Sequence, residues 1–400
     1  MTQKKKTQLK AVKNPANTGK AESVKRTETY WTEKRITTVV TVILVVMALF
    51  GTWLLVANHT FTSVYQADSY KKTTSDSSQY AAFGGGIIRY SRDGVTFLNE
   101  KNEEQWIQSG QFQNPVLDIC GDSFAVGDSG GNLIQVFTKE GLKGEIETTL
   151  PIERLSVSGQ GIVSAILKND MSPSIITYDA AGNILVENQV TVGNTGYPTA
   201  LEMSPDGTVL AVSYLDMSST ALKSRVICYN FSEEGKSKTN NEVSREEYEN
   251  SIMPEIFFMD ESHMVVVGDS SFVLYTGAGT PQKKTEIAVS QEIRSTFHTS
   301  KYIGFVLLNE EKSGYEVRLY NKAGNQVMNR EISGEYSYAG MVGNEVILYS
   351  GSQCCILTSS GIQRLKCDLK TDILAVIPQN GLNKYLVMSA GELRVVYLAK

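Results

Sequence analysis

The cysteines of this 400-residue sequence are the side chains best suited to redox or metal chemistry, and their pattern favours neither. Their number is odd and their density is low, so the chain is not a disulfide-dense scaffold. No C-x-x-C pair occurs, which leaves a zinc site of that type without support. A single disulfide is possible, and the sequence does not assign its partners. The five residues are Cys120, Cys228, Cys354, Cys355 and Cys367.

Paired carboxylates, which general acid–base catalysis uses, occur at Glu103–Glu104 and Glu310–Glu311. Both pairs stand in polar, turn-like stretches, so we interpret them as solvated loops. The triple glycine Gly84–Gly86 precedes a predicted strand rather than a helix, and no G-x-x-x-x-G-K-S/T loop is present. The sequence therefore predicts no catalytic residue, no cofactor and no metal site.

The motif GDSGG at Gly127–Gly131 resembles the nucleophile loop of chymotrypsin-like serine proteases, with Ser129 as the candidate nucleophile. Such a serine needs a histidine base that an acid orients. The chain has three histidines, His59, His263 and His298. They stand in other parts of the chain and lack the histidine-loop sequence of that family. Because VGDS recurs at Val267–Ser270, we interpret both copies as turns between the second and third strands of a repeat.

The rest of the chain is organised around an uncharged apolar stretch, Ile36–Ala57. As a helix, these residues would reach about 33 Å, against a hydrocarbon core of about 30 Å. The stretch lacks the polar face of a soluble amphipathic helix, and its apolar run is longer than that of a cleaved signal peptide. The sequence therefore predicts a transmembrane signal anchor at residues 36–57.

Charge determines the expected orientation of this span. Residues 1–35 contain ten Lys and Arg and three Glu, a net charge of +7, and are predicted to form a disordered basic tail. Because basic flanks stay in the cytoplasm, we expect a single-pass cell-membrane protein with a cytoplasmic N-terminus and an extracytoplasmic C-terminal domain. The whole chain carries −5, so the residues after the tail carry −12. This acidic domain argues against nucleic acid as a partner.

A repeat begins after a polar segment. Residues 58–82 show little periodicity and are predicted to form a stalk, in which Phe61–Tyr65 could form one strand. From residue 83 to residue 400, an apolar run repeatedly ends in an aromatic residue or Leu, followed by Asn, Asp or Thr. We call this aromatic residue or Leu the anchor of the repeat. In five of eight copies Gly stands four places after the anchor, and in the first copy Asn102 stands there. We expect this residue to supply the positive φ of a hairpin turn. The anchors, 37 to 51 residues apart, are Leu98, Phe137, Tyr178, Tyr229, Tyr275, Tyr320, Leu357 and Tyr397.

Each unit holds about four short strands, which predicts the blade of an all-β propeller. Eight anchors favour eight blades. The first unit is expected to lack its innermost strand and the last its outermost, so a strand from the other end of the chain would close the ring. If these partial units share one blade, the count is seven. Residues 232–252 form a polar insertion, interpreted as a loop with Ser244–Ile252 as a candidate short helix.

Two segments resemble known propeller repeats. Val95–Gly110, VTFLNEKNEEQWIQSG, is similar to the quinoprotein-like repeat, in which a strand, a turn and a Trp-bearing outer strand follow one another. Met203–Tyr214, MSPDGTVLAVSY, resembles a turn of WD40-like propellers. The order of tail, span and propeller also resembles that of a group of membrane-anchored propellers from Gram-positive bacteria. These resemblances imply a fold and bring no activity with them.

The vicinal pair Cys354–Cys355 has a counterpart in some quinoprotein dehydrogenases, which carry a vicinal disulfide against their cofactor. Here the pair falls within a predicted central strand, where alternation sends the two side chains to opposite faces. No set of Asp, Glu and Asn matches the calcium and quinone ligands. We therefore interpret the two cysteines as small apolar core residues.

These patterns predict a non-enzymatic, membrane-anchored propeller that serves as a binding or scaffolding module in the bacterial cell envelope. Its partner would be an envelope protein, a peptide or a wall polymer. The alternative is a ligand-sensing ectodomain that signals through the short tail. A hydrolase or redox enzyme is the third hypothesis.

Overall fold

The computed structural model describes residues 35–52, 59–71, 78–99, 101–169, 172–216, 222–310 and 314–400. The chain divides into two compact units, Met1–His59 and Thr60–Lys400. The predicted basic tail up to residue 34 and the end of the predicted span, residues 53–57, lie outside the described residues.

The first unit contains helix α1, Arg35–Thr52, which is long and apolar enough to cross a membrane. Its apolar side chains are exposed, as at Leu49, which is 64% exposed. The Thr41 hydroxyl donates a hydrogen bond to the Thr37 carbonyl at 2.8 Å, so the helix itself satisfies this polar group. Length and composition fit a membrane anchor or a signal sequence.

The second unit is an eight-bladed β-propeller, as the repeat predicts. Among its described residues, 32 strands form eight antiparallel four-stranded sheets. The first strand of the chain, β1 (Ser63–Lys71), belongs to the last blade. Two short helices, α2 (Val192–Thr195) and α3 (Glu233–Lys236), and a 3₁₀ turn (Thr239–Asn241) lie in connections.

The strands are given from the centre of the ring outwards. Blade 1 consists of β2 (Gln79–Phe83), β3 (Gly86–Ser91), β4 (Gly94–Leu98) and β5 (Glu104–Ser109). Blade 2 consists of β6 (Pro115–Cys120), β7 (Ser123–Asp128), β8 (Leu133–Thr138) and β9 (Gly141–Glu147). Blade 3 consists of β10 (Ile152–Val157), β11 (Val163–Leu167), β12 (Ser174–Tyr178) and β13 (Ile184–Gln189). Blade 4 consists of β14 (Tyr197–Met203), β15 (Val209–Asp216), β16 (Lys223–Asn230) and β17 (Glu242–Glu249).

The second half of the ring follows the same order. Blade 5 consists of β18 (Glu255–Asp260), β19 (His263–Val267), β20 (Ser271–Thr276) and β21 (Gln282–Ala288). Blade 6 consists of β22 (Ile293–His298), β23 (Tyr302–Asn309), β24 (Gly314–Asn321) and β25 (Gln326–Ile332). Blade 7 consists of β26 (Tyr338–Val342), β27 (Glu345–Ser350), β28 (Gln353–Thr358) and β29 (Gln363–Asp368). Blade 8 consists of β30 (Ala375–Pro378), β31 (Lys384–Met388), β32 (Glu392–Ala399) and β1.

The core lies between the blades. Alternation along a central strand sends successive side chains into different interfaces. Ile87 packs between blades 8 and 1, whereas its neighbour Ile88 packs between blades 1 and 2. Both faces of a central strand are therefore buried, and every residue of β11 is buried. This explains why the central strands are continuous apolar runs while the outer strands are polar.

The anchor turns confirm most of the sequence prediction. Gly182 and Gly324 have φ of 85° and 83°, and Asn102 has φ of 62°. The Asp179 carboxylate accepts hydrogen bonds from the backbone amides of Ala181 and Asn183, both at 2.9 Å, which holds the turn. The prediction is wrong in blade 5, where the left-handed residue is Gly277, with φ of 123°, rather than Gly279.

The predicted stalk at residues 58–82 is wrong for residues 63–71 and 79–82, and so is the propeller boundary at residue 83. Residue 58 and residues 72–77 lie outside the described residues. Ser63–Lys71 is strand β1, and Gln79–Phe83 is strand β2, the innermost strand of blade 1. The prediction that the first repeat lacks its innermost strand is therefore wrong. Both segments escape a periodicity search because β1 is largely exposed and β2 lies at the channel, where few of its side chains are buried.

The predicted closure of the ring by a strand from the other end of the chain is confirmed. Strand β1 pairs antiparallel with β32, from Ser63 opposite Ala399 to Lys71 opposite Glu392. It completes blade 8 as its outermost strand. The inner strands β2 and β30 also contact each other.

The insertion at residues 232–252 is not a simple loop. It contains α3, the 3₁₀ turn and β17, the outermost strand of blade 4. The candidate helix at Ser244–Ile252 is therefore wrong, since Glu242–Glu249 pairs with β16 along its length. The charged, exposed side chains of this outermost strand resemble those of a solvent-exposed helix in composition. Only the pairing with β16 distinguishes a strand from a helix here.

Candidate functional site

The protease-like motif is a turn, as predicted. Ser129 follows β7, and its backbone amide donates to the Asn114 carbonyl at 2.9 Å. The buried Asp128 carboxylate accepts hydrogen bonds from the amides of Gln113 and Asn114, both at 2.8 Å. Asp128 therefore fixes the connection that enters blade 2 and does not orient a histidine.

The histidines serve other contacts. His298 stacks on Phe257 with ring centroids 4.0 Å apart. His263 begins β19, and its Nδ1 lies 2.9 Å from Oδ1 of Asp260. Neither imidazole is positioned as a base for Ser129.

Asp260, Ser262 and His263 form a cluster that sequence reasoning missed. The Ser262 hydroxyl lies 3.0 Å from the Asp260 carboxylate and 3.3 Å from Nδ1 of His263. Serine and aspartate thus meet the same ring nitrogen, whereas a triad needs the serine at Nε2. Although burial raises the pKa of Asp260, hydrogen bonds from Lys322 and His263 hold it well below its usual range. The cluster caps a turn and joins blade 5 to Lys322 of blade 6.

The vicinal cysteines lie on opposite faces of β28, as predicted. Cys354 packs in the cluster between blades 7 and 8, and Cys355 in the cluster between blades 6 and 7. Both are 1% exposed. Among the described residues, no group of three or more His, Cys, Asp or Glu side chains is arranged to hold a metal ion.

The paired carboxylates that the structure describes, Glu103, Glu104 and Glu310, lie at the surface. Glu103 accepts a hydrogen bond from the Asn99 side chain at 2.9 Å, and Glu104 lies 3.6 Å from Arg89. Gly84 and Gly85 form the turn between β2 and β3. Glu310 ends a described segment, and Glu311 lies outside the described residues.

Three carboxyl groups converge on the central channel from the inner strands of blades 2, 4 and 5. Asp118, Glu202 and Glu255 line a cavity of about 270 Å³. Burial raises the pKa of all three, and repulsion between Asp118 and Glu202 raises that of Glu202 further. Asp118 accepts a hydrogen bond from the Val157 amide at 2.6 Å, and Glu255 accepts one from the Thr296 hydroxyl at 2.5 Å. Each of these two bonds joins an inner strand to that of the next blade.

A larger cavity, about 610 Å³, lies between blades 3 and 4, and we call it the interblade cleft. One wall is the outer strand β13 with Asn188, and the other includes Asn241 and Arg245 of the insertion. The hydroxyls of Tyr214 and Tyr229 meet at 2.8 Å where they line the cleft. Both tyrosines are buried, which raises the pKa of each.

The lining of the cleft combines a fixed guanidinium group with exposed apolar side chains beside it. Arg245 is held by Glu242 through two hydrogen bonds of 2.8 and 2.7 Å. Beside the cleft, β13 exposes Ile184 (56%) and Leu185 (51%) to solvent. Apolar contacts next to amide donors and acceptors suit a polar polymer or an extended peptide.

The fold and its cavities define a class: an eight-bladed β-propeller with an N-terminal apolar helix. A family model matches residues 57–398, and the chain belongs to that family, the family of unknown function DUF5711. No curated protein matches the chain.

Two solved propellers are similar to this chain. BamB from Moraxella catarrhalis is 13% identical, with a TM-score of 0.51, and the match covers 84% of this chain and 100% of BamB. Apo AztD from Citrobacter koseri is 9% identical, with a TM-score of 0.51, and the match covers 74% of this chain and 87% of AztD. At these identities the likeness concerns the fold alone, and it agrees with the propeller repeats of the sequence.

Proposed function

We propose that this protein is a membrane-anchored, extracytoplasmic propeller that serves as a non-enzymatic binding or scaffolding module in the bacterial cell envelope. The observation that carries the proposal is the interblade cleft. One of its walls comes from the insertion at residues 232–252, which the other repeats do not have at this length. The apolar helix α1 and the ten basic residues before the span support the anchor and its orientation.

The expected ligand is an extended segment of an envelope protein or a peptide. In the described residues, β13 pairs only with β12, so its outer edge offers backbone hydrogen-bonding groups. An extended peptide can add to such an edge while its side chains enter neighbouring pockets. Ile184 and Leu185 supply apolar contacts, and Asn188 supplies an amide beside them. A wall polymer is the other outcome that the test below distinguishes.

Site-specific photocrosslinking tests the cleft in the full-length protein. A photoreactive residue at Asn188 should crosslink to a polypeptide in intact cells. The same residue at Asn329, on the outer strand β25 of blade 6, is the matched control and should not. Excess purified wild-type protein should abolish the crosslink in membranes, and the Asn188→Trp variant should fail to compete. Equal capture at both positions, or capture of glycan alone, would overturn the expected peptide ligand.

Protease added outside intact cells tests the orientation. We expect digestion of the propeller and protection of the basic tail. A fully protected propeller would reverse the proposed orientation. The sensor alternative is tested by deleting residues 1–30, since a sensor would lose its response while a scaffold would keep its crosslink.

The carboxyl cluster of the channel is the observation that favours an enzyme, because carboxyls with raised pKa can act as general acids. We propose a structural role instead, since Asp118 and Glu255 are hydrogen-bonded to the neighbouring inner strands. Hydrolysis of wall polymer by the purified protein that disappears in Glu202→Gln would contradict the non-enzymatic proposal.

A further inference from the structure

Cys354 and Cys367 are cross-strand neighbours in blade 7. Strands β28 and β29 are antiparallel, and Cys354 stands directly opposite Cys367. Pairing is regular on both sides, with Gln353 opposite Asp368 and Cys355 opposite Lys366, and the register shifts only beyond Ile356. Directly opposite residues project to the same face of a sheet, so the two thiols share one interface. Cys367 packs against the cluster between blades 7 and 8 that contains Cys354.

The spacing of this pair fits a disulfide. The Leu369 amide donates to the Ser352 carbonyl at 2.8 Å, which marks a hydrogen-bonded pair two residues before Cys354. Hydrogen-bonded and non-hydrogen-bonded pairs alternate, so Cys354 and Cys367 also form a hydrogen-bonded pair, with Cα atoms about 5.5 Å apart. Disulfides span Cα separations of about 4.4–6.8 Å. The expected Cα separation of this pair therefore lies within the range that disulfides span.

The other three cysteines do not lie next to Cys354 or Cys367 on the same face of the sheet, so they do not compete for this disulfide. Cys355 faces the cluster between blades 6 and 7, on the opposite side of the sheet from Cys354. Cys120 lies on the inner strand of blade 2, and Cys228 is buried in blade 4. All five thiols are free in the structure. The register thus selects one pair among the pairings that the sequence leaves open.

We propose that Cys354 and Cys367 form a disulfide in the mature protein, an inference that rests on the proposed extracytoplasmic location of the propeller. Disulfides persist in oxidising compartments and are rare in the cytoplasm. The oxidant is a disulfide-bearing thiol oxidoreductase of the cell envelope. Each cysteine loses one proton and the pair loses two electrons, an Sγ–Sγ bond forms, and the disulfide of the oxidant is reduced to two thiols.

The bond forms while blade 7 is still open. Burial raises the pKa of Cys367 to about 11, and burial together with the nearby Cys367 raises that of Cys354 further. Thiolates, the species that attack a disulfide, are therefore scarce in the folded protein. In the unfolded chain one of the two cysteines attacks the oxidant and releases its first thiol, and the other cysteine then displaces the second thiol of the oxidant from the mixed disulfide.

The disulfide joins β28 to β29, and β29 is the strand that Phe61, near the start of the propeller, contacts. The Phe61 amide donates to the Arg364 carbonyl of β29 at 2.7 Å, and the Phe61 ring packs against the same cluster as the two cysteines. Phe61 thus attaches the start of the propeller to β29. A covalent bond between β28 and β29 holds this outer strand, and with it the Phe61 contact, in its blade.

Oxidative refolding of the full-length protein in detergent tests the pairing. Reduced, denatured protein is refolded with oxidised and reduced glutathione, alkylated with N-ethylmaleimide and mapped by mass spectrometry without reduction. We expect a peptide that joins Cys354 to Cys367, retained in Cys228→Ser and lost in Cys367→Ser without a Cys354–Cys355 bond in its place. Folded, reduced protein should oxidise much more slowly than refolding protein. Full alkylation after refolding, or a different dominant pair, would overturn the proposal.

Trapping thiols in intact cells with a membrane-permeant alkylating agent separates the pairing from the location. A bridged peptide from these cells supports both. If the disulfide forms in refolding but the thiols are reduced in cells, the proposed disulfide in the mature protein is wrong. The failure then lies in its premise, the extracytoplasmic location, and not in the geometry of the cysteine pair.

Discussion

Replacing Asp128 with Ala should destabilise the propeller, because this carboxylate holds the connection between blades 1 and 2. It accepts hydrogen bonds from the Gln113 and Asn114 amides at 2.8 Å each. Hydrogen bonds to a charged group contribute about 1.5–3 kcal/mol each. Both donors lie in exposed residues that water can reach after the substitution, so we expect a combined loss of about 2–3 kcal/mol.

This loss should be visible as a shift in thermal unfolding. The unfolding entropy of a domain of this length is roughly 0.7 kcal/mol per degree, so a loss of about 2–3 kcal/mol lowers Tm by about 3–4 °C. Ser129→Ala, at the adjacent candidate nucleophile, is the matched control and should change the free energy of unfolding by less than about 0.5 kcal/mol. Circular dichroism during heating measures both variants. A larger effect for Ser129→Ala than for Asp128→Ala would refute the assignment of this motif as a turn held by Asp128.

Three further perturbations address other parts of the propeller. Deleting residues 60–71 removes β1 and leaves an edge of β32 unpaired, so we expect self-association in light scattering, and an unchanged monomer would contradict the observed closure. Trp106→Ala removes a ring whose centroid lies 5.3 Å from that of Phe137, and it should lower the free energy of unfolding in urea by about 3 kcal/mol. Trp106→Phe should retain most of the stability. Glu202→Gln should be more stable than wild type at neutral pH, because the raised pKa of Glu202 means that wild-type stability falls as the carboxyl ionises. The difference should disappear below the usual pKa of Glu, and equal Tm values for the two proteins at all pH values would exclude a buried charge at this position.

The number of blades was predictable because the turns that mark it are local. The bond from the Asn183 amide to Asp179, and the left-handed φ of Gly182, involve residues within one short segment. Such turn chemistry is visible in a single sequence. The opposite faces of Cys354 and Cys355 were predictable for the same reason, since alternation is a property of one strand.

Features that depend on distant partners were not predictable from one sequence. Strand β1 is identified by its pairing with β32, and β17 by its pairing with β16. The convergence of Asp118, Glu202 and Glu255 on the channel requires the order of the blades around the ring. A partial indication was available, because a carboxylate within an apolar inner strand is costly to bury and calls for a compensating contact.

The closing contact between β1 and β32 has a consequence for synthesis. A ribosome produces β1 first, and its partner only after the strands of the other seven blades have been made. During that interval the nascent chain carries a strand with no partner, which is a hazard for aggregation. Most described side chains of β1 are exposed even in the finished ring, and Gln66, Asp68 and Ser69 keep the waiting strand compatible with water. The polar composition that conceals β1 from a periodicity search is the property that lets it wait for the final strand.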